Sequence, residues 1–229
     1  MKPETQDVQR AHDLLLEAYG DHVRRPRDPV GTLVNTILSQ NTNDVNRDRA
    51  FGRLRERFPT WEQVRDAEEE TLVDAIRPAG LGPTKGPRIQ GALRTITEER
   101  GEIELEFLDE MELEEARGWL LDIPGVGPKT AAIVLLFALG RPAFPVDTHV
   151  HRVALRLGLI PEKTGRAKAH RLLEDLVPPG IYYPFHLNLI AHGRAVCHAR
   201  KPECARCILH DECAFGRSLR SKTFDKRDS

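Results

Sequence analysis

Apolar residues recur along most of the chain at the spacing typical of amphipathic helices. Residues 8–19 show the pattern clearly: five apolar side chains share one face, and Gly20 follows as a stop. The same spacing predicts helices over 29–38, 44–57, 61–67, 71–76, 89–100, 113–121, 128–139, 148–157, 167–176 and 185–196. Strand-like alternation does not continue beyond a few residues. The sequence therefore predicts an all-α protein of about ten to twelve helices joined by short connections.

The residues before two of these helices are typical helix caps. Asp44 is expected to cap the helix over 44–57, and Thr60 the helix that starts at Trp61. Residues 82–87 contain Pro83 and Pro87, so we expect a stiff loop before the helix over 89–100.

The chain has 229 residues and a formal net charge of −1, so its total charge indicates no particular partner. The distribution is uneven. Residues 98–117 hold ten acidic and two basic side chains, whereas residues 194–229 hold nine basic and five acidic ones. The acidic run is typical of a solvated helical face. The basic tail, with Arg217, Arg220, Lys222, Lys226 and Arg227, is expected to add salt-dependent affinity for a polyanion.

Two features argue against export and membrane insertion. The first residues contain no apolar core of the kind found in a signal peptide. The longest apolar run, 131–139, has nine residues, and a spanning helix needs about 20. We therefore expect a cytoplasmic, nucleoid-associated protein without membrane contact, in which four cysteines bind metal rather than form disulfides.

Residues 121–131 form the most informative stretch of the chain. Gly125 and Gly127 allow the backbone to turn sharply after one helix, and Pro128 suits the first position of the next. Exposed N–H groups at such a helix start bind phosphate, so this hairpin would hold a DNA backbone without reading its sequence. The alternative is an ordinary connection between two helices.

Lys129 is predicted in the first turn of the second hairpin helix. The positive end of the helix dipole favours its neutral form, and a neutral amine is what a Schiff-base nucleophile requires. The alternative is a lysine that stays charged and binds phosphate.

Asp147 precedes the helix over 148–157, so it is either an N-cap or a carboxylate that accepts protons near Lys129 and stabilises positive charge on a sugar. The two roles are compatible. His149 and His151 are expected to pack or form hydrogen bonds rather than bind metal.

Four cysteines lie within a short segment near the end of the chain. Six, two and five residues separate Cys197, Cys204, Cys207 and Cys213. Four thiolates suit zinc or a [4Fe–4S] cluster, and the long outer arms favour the cluster because structural zinc usually has two close pairs. Such a cluster would be structural, with every ligand position filled. Three cations between the ligands are expected to contact phosphate: Arg200, Lys201 and Arg206.

Together these motifs resemble the endonuclease III family of DNA glycosylases over residues 14–213. The motifs that carry the resemblance are Leu38-Ser39-Gln40, the hairpin with Lys129, Val146-Asp147-Thr148-His149 and the cysteine spacing. The resemblance implies the two-domain helix-hairpin-helix glycosylase fold. A six-helix barrel domain, here 24–139 with the hairpin at 113–137, would be inserted into an iron–sulfur cluster domain of 1–23 and 140–229.

The family removes oxidised pyrimidines, such as thymine glycol, and then cleaves the abasic strand, which makes it a bifunctional DNA N-glycosylase and abasic-site lyase. The resemblance implies that Lys129 is the nucleophile, Asp147 the catalytic carboxylate and the four cysteines the ligands of a [4Fe–4S] cluster. The implied partner is double-stranded DNA with a damaged or abasic nucleotide, bound by a monomer.

Two loops would fill the hole that an extruded nucleotide leaves in the duplex. Leu81 matches the family's wedge, although it is also interpretable as a loop leucine that packs inward. The second filler is usually a glutamine, and here either Gln40 or the shorter Asn41 occupies that region.

Two alternatives remain open. A monofunctional adenine or mismatch glycosylase shares the fold, but usually lacks a lysine at the position of Lys129, and the adenine type has a further C-terminal domain. A non-catalytic DNA-binding module with a zinc loop is the second alternative, and it predicts a colourless protein.

Overall fold

The computed structural model describes residues 4–218, and this part of the chain contains helices and no strand, as the apolar spacing predicts. Its Cα positions divide into two compact units, Met1–Arg24 with Pro142–Ser229 and Arg25–Arg141. No helix within the described residues is long and apolar enough to cross a membrane.

The unit Arg25–Arg141 is built around α2 (Pro29–Leu38), whose residues are buried except Asn35. Helix α2 contacts α3, α6, α8 and the π-helix. The unit contains, in chain order, α2, α3 (Asp44–Arg57), α4 (Trp61–Asp66), α5 (Glu69–Ala75), a 3-10 turn (Arg77–Ala79), α6 (Gly82–Arg100), a 3-10 turn (Glu106–Asp109), α7 (Leu113–Asp122), α8 (Pro128–Ile133) and a π-helix (Val134–Leu139).

The other unit is built around α11 (Tyr182–Ala195), which packs against α1 (Thr5–Tyr19) and α9 (Thr148–Leu157). The unit also contains α10 (Arg166–Leu176) and two 3-10 turns, Pro179–Ile181 and Cys204–Arg206, and residues 214–218 are helical. Phe144 and Phe185 are fully buried here, and Phe144 meets the ring of Tyr182 edge-on at 5.2 Å between centroids. Large buried aromatic side chains of this kind contribute strongly to a core.

The expected loop over 82–87 is wrong, because these residues form the first turns of α6. Pro83 occupies the second position of the helix, where an N–H has no partner within the helix. Pro87 lies inside the helix and removes one main-chain hydrogen bond. The start of the helix is closely packed: a Cβ at Gly82 would lie 2.9 Å from Val73 Cγ1, so α6 approaches α5 where a larger residue would clash.

One cap prediction is confirmed and one is wrong. Thr60 caps α4 and exchanges hydrogen bonds with Gln63 in a capping box. Asp44 is instead the first residue of α3, and the cap is Asn43, whose Oδ1 accepts from the N–H of Asn46 at 2.8 Å. Both residue types are good caps, so sequence alone separates such neighbours poorly.

Candidate functional site

The hairpin between α7 and α8 has the tight geometry expected from its glycines. The N–H of Val126 donates to Ile123 O at 3.0 Å. The side chains of both residues are buried, so they anchor the turn to the interior of its unit. Gly125 stands at φ +85° and is exposed. A Cβ there would also lie 3.3 Å from Cγ and Cδ of Arg88. The positive φ therefore favours glycine at this position, and a larger residue would also have to displace the Arg88 side chain.

Gly127 does not form part of the sharp turn, although its spacing from Gly125 predicts that it does. Its φ of −107° is open to any residue, and a Cβ would meet nothing within 4 Å. It serves as the N-cap of α8, with Pro128 at the first helical position. The sharp turn thus depends on Gly125 alone.

Lys129 occupies the second position of α8, as predicted, and is half-buried. Its neighbours Thr130 and Ala131 are buried, which holds the start of the helix against the rest of the unit. The lysine therefore projects from a fixed backbone rather than from a mobile loop.

The loop after α2 carries the two amide residues. Asn41 is exposed and stands at φ +53°, a left-handed conformation that asparagine tolerates better than most residues. Gln40 is half-buried, and its Oε1 accepts from Arg88 Nη1 at 3.1 Å. Of the two, Gln40 is tied to α6, and Asn41 presents its side chain to solvent.

Leu81 does not pack inward. It is 54% exposed and stands at φ +53°, between the 3-10 turn and α6. A leucine in the left-handed region costs about 1–2 kcal/mol, and an exposed apolar side chain there gains little from burial. Backbone strain that burial of the side chain does not offset is typical of functional positions.

Sequence reasoning missed two residues of α6 that touch these loops, Lys85 and Arg88. Lys85 is buried and bonds two main-chain carbonyls. Arg88 donates to Gln40, and its side chain lies where a Cβ at Gly125 would approach it. The available signal was the buried face of α6, since Lys85 stands four residues before the buried Ile89.

Asp147 is the N-cap of α9. Its Oδ1 accepts from the N–H of Val150 at 2.7 Å, and the side chain is half-buried. One carboxylate oxygen is thus engaged by the helix, and the carboxylate is held in a fixed orientation. The predicted cap is confirmed by this contact.

The two histidines that follow are engaged in hydrogen bonds, as predicted. His149 Nδ1 lies 3.1 Å from Arg152 Nη2, and His151 Nε2 lies 2.8 Å from Thr164 O. Burial lowers the pKa of His149.

Four cysteine side chains line one pocket in the unit that contains α9 and α11: Cys197, Cys204, Cys207 and Cys213. The empty space amounts to about 320 Å³, part of it open to solvent. None of the four forms a disulfide. Within residues 4–218, no three His, Cys, Asp or Glu side chains are placed to hold a single metal ion.

Three of the four sulfurs in this pocket have a nitrogen within hydrogen-bonding distance. Arg156 Nη1 donates to Cys197 Sγ at 3.2 Å, and the N–H of Gly216 donates to Cys213 Sγ at 3.4 Å. His192 Nε2 lies 3.5 Å from Cys207 Sγ, and burial lowers the pKa of this histidine to about 4. Burial also raises the pKa of the Cys207 thiol to about 11. Burial thus favours the neutral thiol, whereas nitrogen donors to sulfur favour the thiolate, which is the form that ligates metal.

Arg156 is a further residue that sequence reasoning missed. Besides Cys197 Sγ, its guanidinium donates to His198 O at 2.7 Å and to Ala199 O at 3.2 Å. These bonds fix the start of the cysteine segment to α9. An arginine in an amphipathic helix gives no such signal in the sequence.

The three cations between the cysteines are exposed, but they are not equivalent. Arg206 forms an ion pair with Glu203 and donates to Ala195 O, so its charge is partly neutralised. Lys201 stands at φ +50°. The predicted basic positions Arg220, Lys222, Lys226 and Arg227 lie outside the described residues.

Comparison with known proteins identifies the family. Residues 34–179 match the model of the HhH-GPD superfamily base excision DNA repair protein. The chain belongs to this family. It is also 35% identical to endonuclease III of Thermotoga maritima over 190 residues, which cover 83% of this chain and 84% of that protein. A candidate DNA glycosylase of Arabidopsis thaliana is 38% identical over 184 residues, and this chain spans 63% of its length.

Solved structures agree with this assignment. A trapped covalent intermediate of endonuclease III with DNA has a TM-score of 0.79 and 29% identity, over 95% of this chain and 99% of that chain. A thermostable thymine-DNA glycosylase, at 23% identity, shares the fold with a TM-score of 0.78. The chain is therefore a base-excision repair DNA glycosylase of the endonuclease III type.

Proposed function

We propose that this protein excises oxidised pyrimidines, such as thymine glycol, from duplex DNA and then cleaves the strand at the abasic site. The observation that carries the proposal is Lys129 at the start of α8, directly after the hairpin. The similarity to an endonuclease III that forms a covalent intermediate with DNA supports the same assignment. A lysine amine is a nucleophile able to form such an intermediate.

The hairpin would hold the DNA backbone. The first amides of α8 have no carbonyl partner within the helix and carry the positive end of its dipole. Gly127, the N-cap, has no side chain that could cover these amides. Phosphate oxygens are suitable acceptors, and contacts of this kind position DNA without reading its sequence.

Lys129 would supply the chemistry. Its neutral amine attacks C1′ of the damaged nucleotide, the C1′–N bond breaks, and the base leaves with a proton. The sugar ring then opens as the C1′–O4′ bond breaks and O4′ takes up a proton, which leaves an iminium between the lysine nitrogen and C1′. This iminium acidifies a C2′ proton, and loss of that proton expels the 3′ phosphate by β-elimination. Water then releases the sugar and restores the amine. The helix dipole favours the neutral amine that the first step needs.

Asp147 would act in the same reaction as the carboxylate that transfers protons and stabilises the cationic sugar. Its hydrogen bond to the N–H of Val150 fixes the orientation of the carboxyl group. A preoriented charge is worth more than a mobile one, because it needs no reorganisation when the transition state forms.

Two loops would replace the extruded nucleotide in the duplex. Leu81 is exposed and held by a left-handed backbone, which suits a wedge between bases. Asn41 would enter the gap on the strand of the lesion, with Gln40 supporting it through Arg88. Extrusion costs a few kcal/mol, and less for a poorly stacked lesion, so such fillers favour damaged sites.

The four cysteines would hold a structural [4Fe–4S] cluster. They line one pocket, and three of the sulfurs have a nitrogen within hydrogen-bonding distance, which fits thiolate ligands. When bound, the cluster would fix the segment between Cys197 and Cys213. Arg200 and Lys201 would then contact phosphate from a rigid support, and Arg206 would contribute less because it pairs with Glu203.

A two-step cleavage assay tests this proposal. The full chain is incubated with duplex DNA that contains one thymine glycol, and released base and strand breaks are measured separately. We expect strand breaks without alkali treatment, in proportion to released base. Base release whose breaks appear only after alkali would contradict the lyase activity and favour a monofunctional enzyme.

A further inference from the structure

A lysine is fully buried at the start of α6, where an apolar residue would be expected. Lys85 is 1% exposed, and its Nζ donates to Leu38 O and to Ala79 O, each at 2.8 Å. Burial lowers the pKa of this ammonium group. A buried charge costs several kcal/mol unless hydrogen bonds compensate it, so core packing alone does not explain this residue.

The two carbonyls mark the points where the chain enters the two loops described above. Leu38 is the last residue of α2, and Ala79 is the last residue of the 3-10 turn before α6. Asn41 follows the first carbonyl and Leu81 follows the second. Lys85 therefore bonds the chain just before each loop begins, although the two loops are far apart in sequence.

Both loops contain a strained residue at the position expected to meet DNA. In the described part of the chain, three residues other than glycine have positive φ, namely Asn41, Leu81 and Lys201. Two of these three follow the carbonyls that Lys85 binds. A left-handed residue persists only where its surroundings restrict the backbone, and fixed carbonyls at the loop roots supply such a restriction.

A neighbouring residue on the same helix shows what a purely structural contact looks like. Gln90 is also buried, and its Nε2 lies within 3.2 Å of three main-chain carbonyls, those of Val64, Arg65 and Ala67. These carbonyls belong to one segment, at the end of α4. The ammonium group of Lys85 instead has three donors and connects two separate segments.

We propose that Lys85 is a positioning residue that holds the Asn41 loop and the Leu81 loop in register, so that both enter the duplex together. This inference rests on the proposed function, in which these loops replace the extruded nucleotide. Arg88, one turn later, donates to Gln40 Oε1 in the first of these loops. The start of α6 thus bonds both loops expected to contact DNA.

The test compares Lys85→Met with the matched control Gln90→Leu. Both remove a buried polar group of α6 that bonds main-chain carbonyls. Base excision is measured on thymine glycol in a fully paired duplex and on thymine glycol in an unpaired bulge, where no partner base must be replaced. We expect Lys85→Met to lower kcat/KM on the paired duplex by about tenfold to 100-fold, and by a much smaller factor on the bulge. Gln90→Leu should affect both substrates equally.

Amide hydrogen exchange provides a readout that does not depend on activity. In Lys85→Met, exchange should accelerate in residues 39–42 and 80–84 together, whereas Gln90→Leu should leave both loops unchanged. Equal losses on the two DNA substrates, or acceleration in one loop only, would overturn the inference. If Lys85→Met does not fold, Lys85→Gln is used instead. Its shorter side chain keeps one NH₂ group, so it should show the same acceleration of exchange in both loops, but smaller.

The two hypotheses fail in different ways. A wild-type chain that releases no base from either substrate would refute the proposed function. Coupled exchange of the two loops would still show whether Lys85 holds them in register. An active wild-type chain whose loops exchange independently of Lys85 would refute the positioning role alone.

Discussion

Asp147 has a structural contact and a proposed chemical role, and substitution can separate them. The side chain caps α9 through one hydrogen bond from Oδ1 to the N–H of Val150, at 2.7 Å. Asparagine caps helices as well as aspartate does, whereas alanine removes the acceptor. Asp147→Asn therefore removes the charge and keeps the cap, and Asp147→Ala removes both.

The expected sizes of the two effects differ enough to measure. Loss of an N-cap costs about 1 kcal/mol, which for a chain of this length corresponds to a drop in Tm of about 2–4 °C. Asp147→Asn should lower Tm by only a fraction of this. Loss of a carboxylate that transfers protons lowers the rate by about 10²–10⁴-fold, so both variants should lose base excision to that extent.

The assay measures thermal unfolding and single-turnover excision of thymine glycol on the same preparations. We predict that Asp147→Asn unfolds close to the wild-type temperature and is nearly inactive. Excision at the wild-type rate by Asp147→Asn would refute a catalytic role for Asp147, because the residue would then be only a helix cap. Parallel loss of stability and activity in both variants would show that inactivity reflects damage to α9.

Substitutions in the hairpin, at the wedge and at the cysteines test other parts of the site. Gly125→Ser should lower the free energy of unfolding by about 1–2 kcal/mol, because its φ is +85° and Arg88 lies close. Gly127→Ser should be neutral or slightly stabilising, because serine is a better N-cap. Urea unfolding measures both changes. Leu81→Ala should reduce base excision more than cleavage of a preformed abasic site, and equal losses would contradict a wedge role for Leu81. Val45→Ala, at another exposed apolar residue, is the control. Cys204→Ser should abolish the visible absorbance of the purified protein and lower its Tm, and an unchanged spectrum would contradict the cluster.

Local patterns predicted much of the fold because the governing interactions are local. The apolar spacing places α2 and α9 at the bounds that the structure has, Pro29–Leu38 and Thr148–Leu157. The cap at Thr60 and the turn at Gly125 follow from rules that involve only a few neighbouring residues.

Two errors arose where tertiary contacts decide the outcome. The prolines of 82–87 suggested a loop, but these residues form a helix that packs closely against Val73, and no pattern within the segment contains that contact. Lys85 was missed because lysine is rarely buried, and its partners lie in two distant segments. The roles of Lys129 and Asp147 come from family resemblance, since spacing alone left both with structural alternatives.

The most direct test of the account is covalent trapping at Lys129. The purified chain is mixed with duplex DNA bearing one thymine glycol, borohydride is added, and the mixture is examined for a protein–DNA adduct, with Lys129→Ala in parallel. We predict an adduct in the wild-type chain that disappears in the variant, because borohydride reduces the Schiff base between Lys129 and the sugar to a stable amine. Base release without any adduct would contradict it, since water rather than Lys129 would then be the nucleophile.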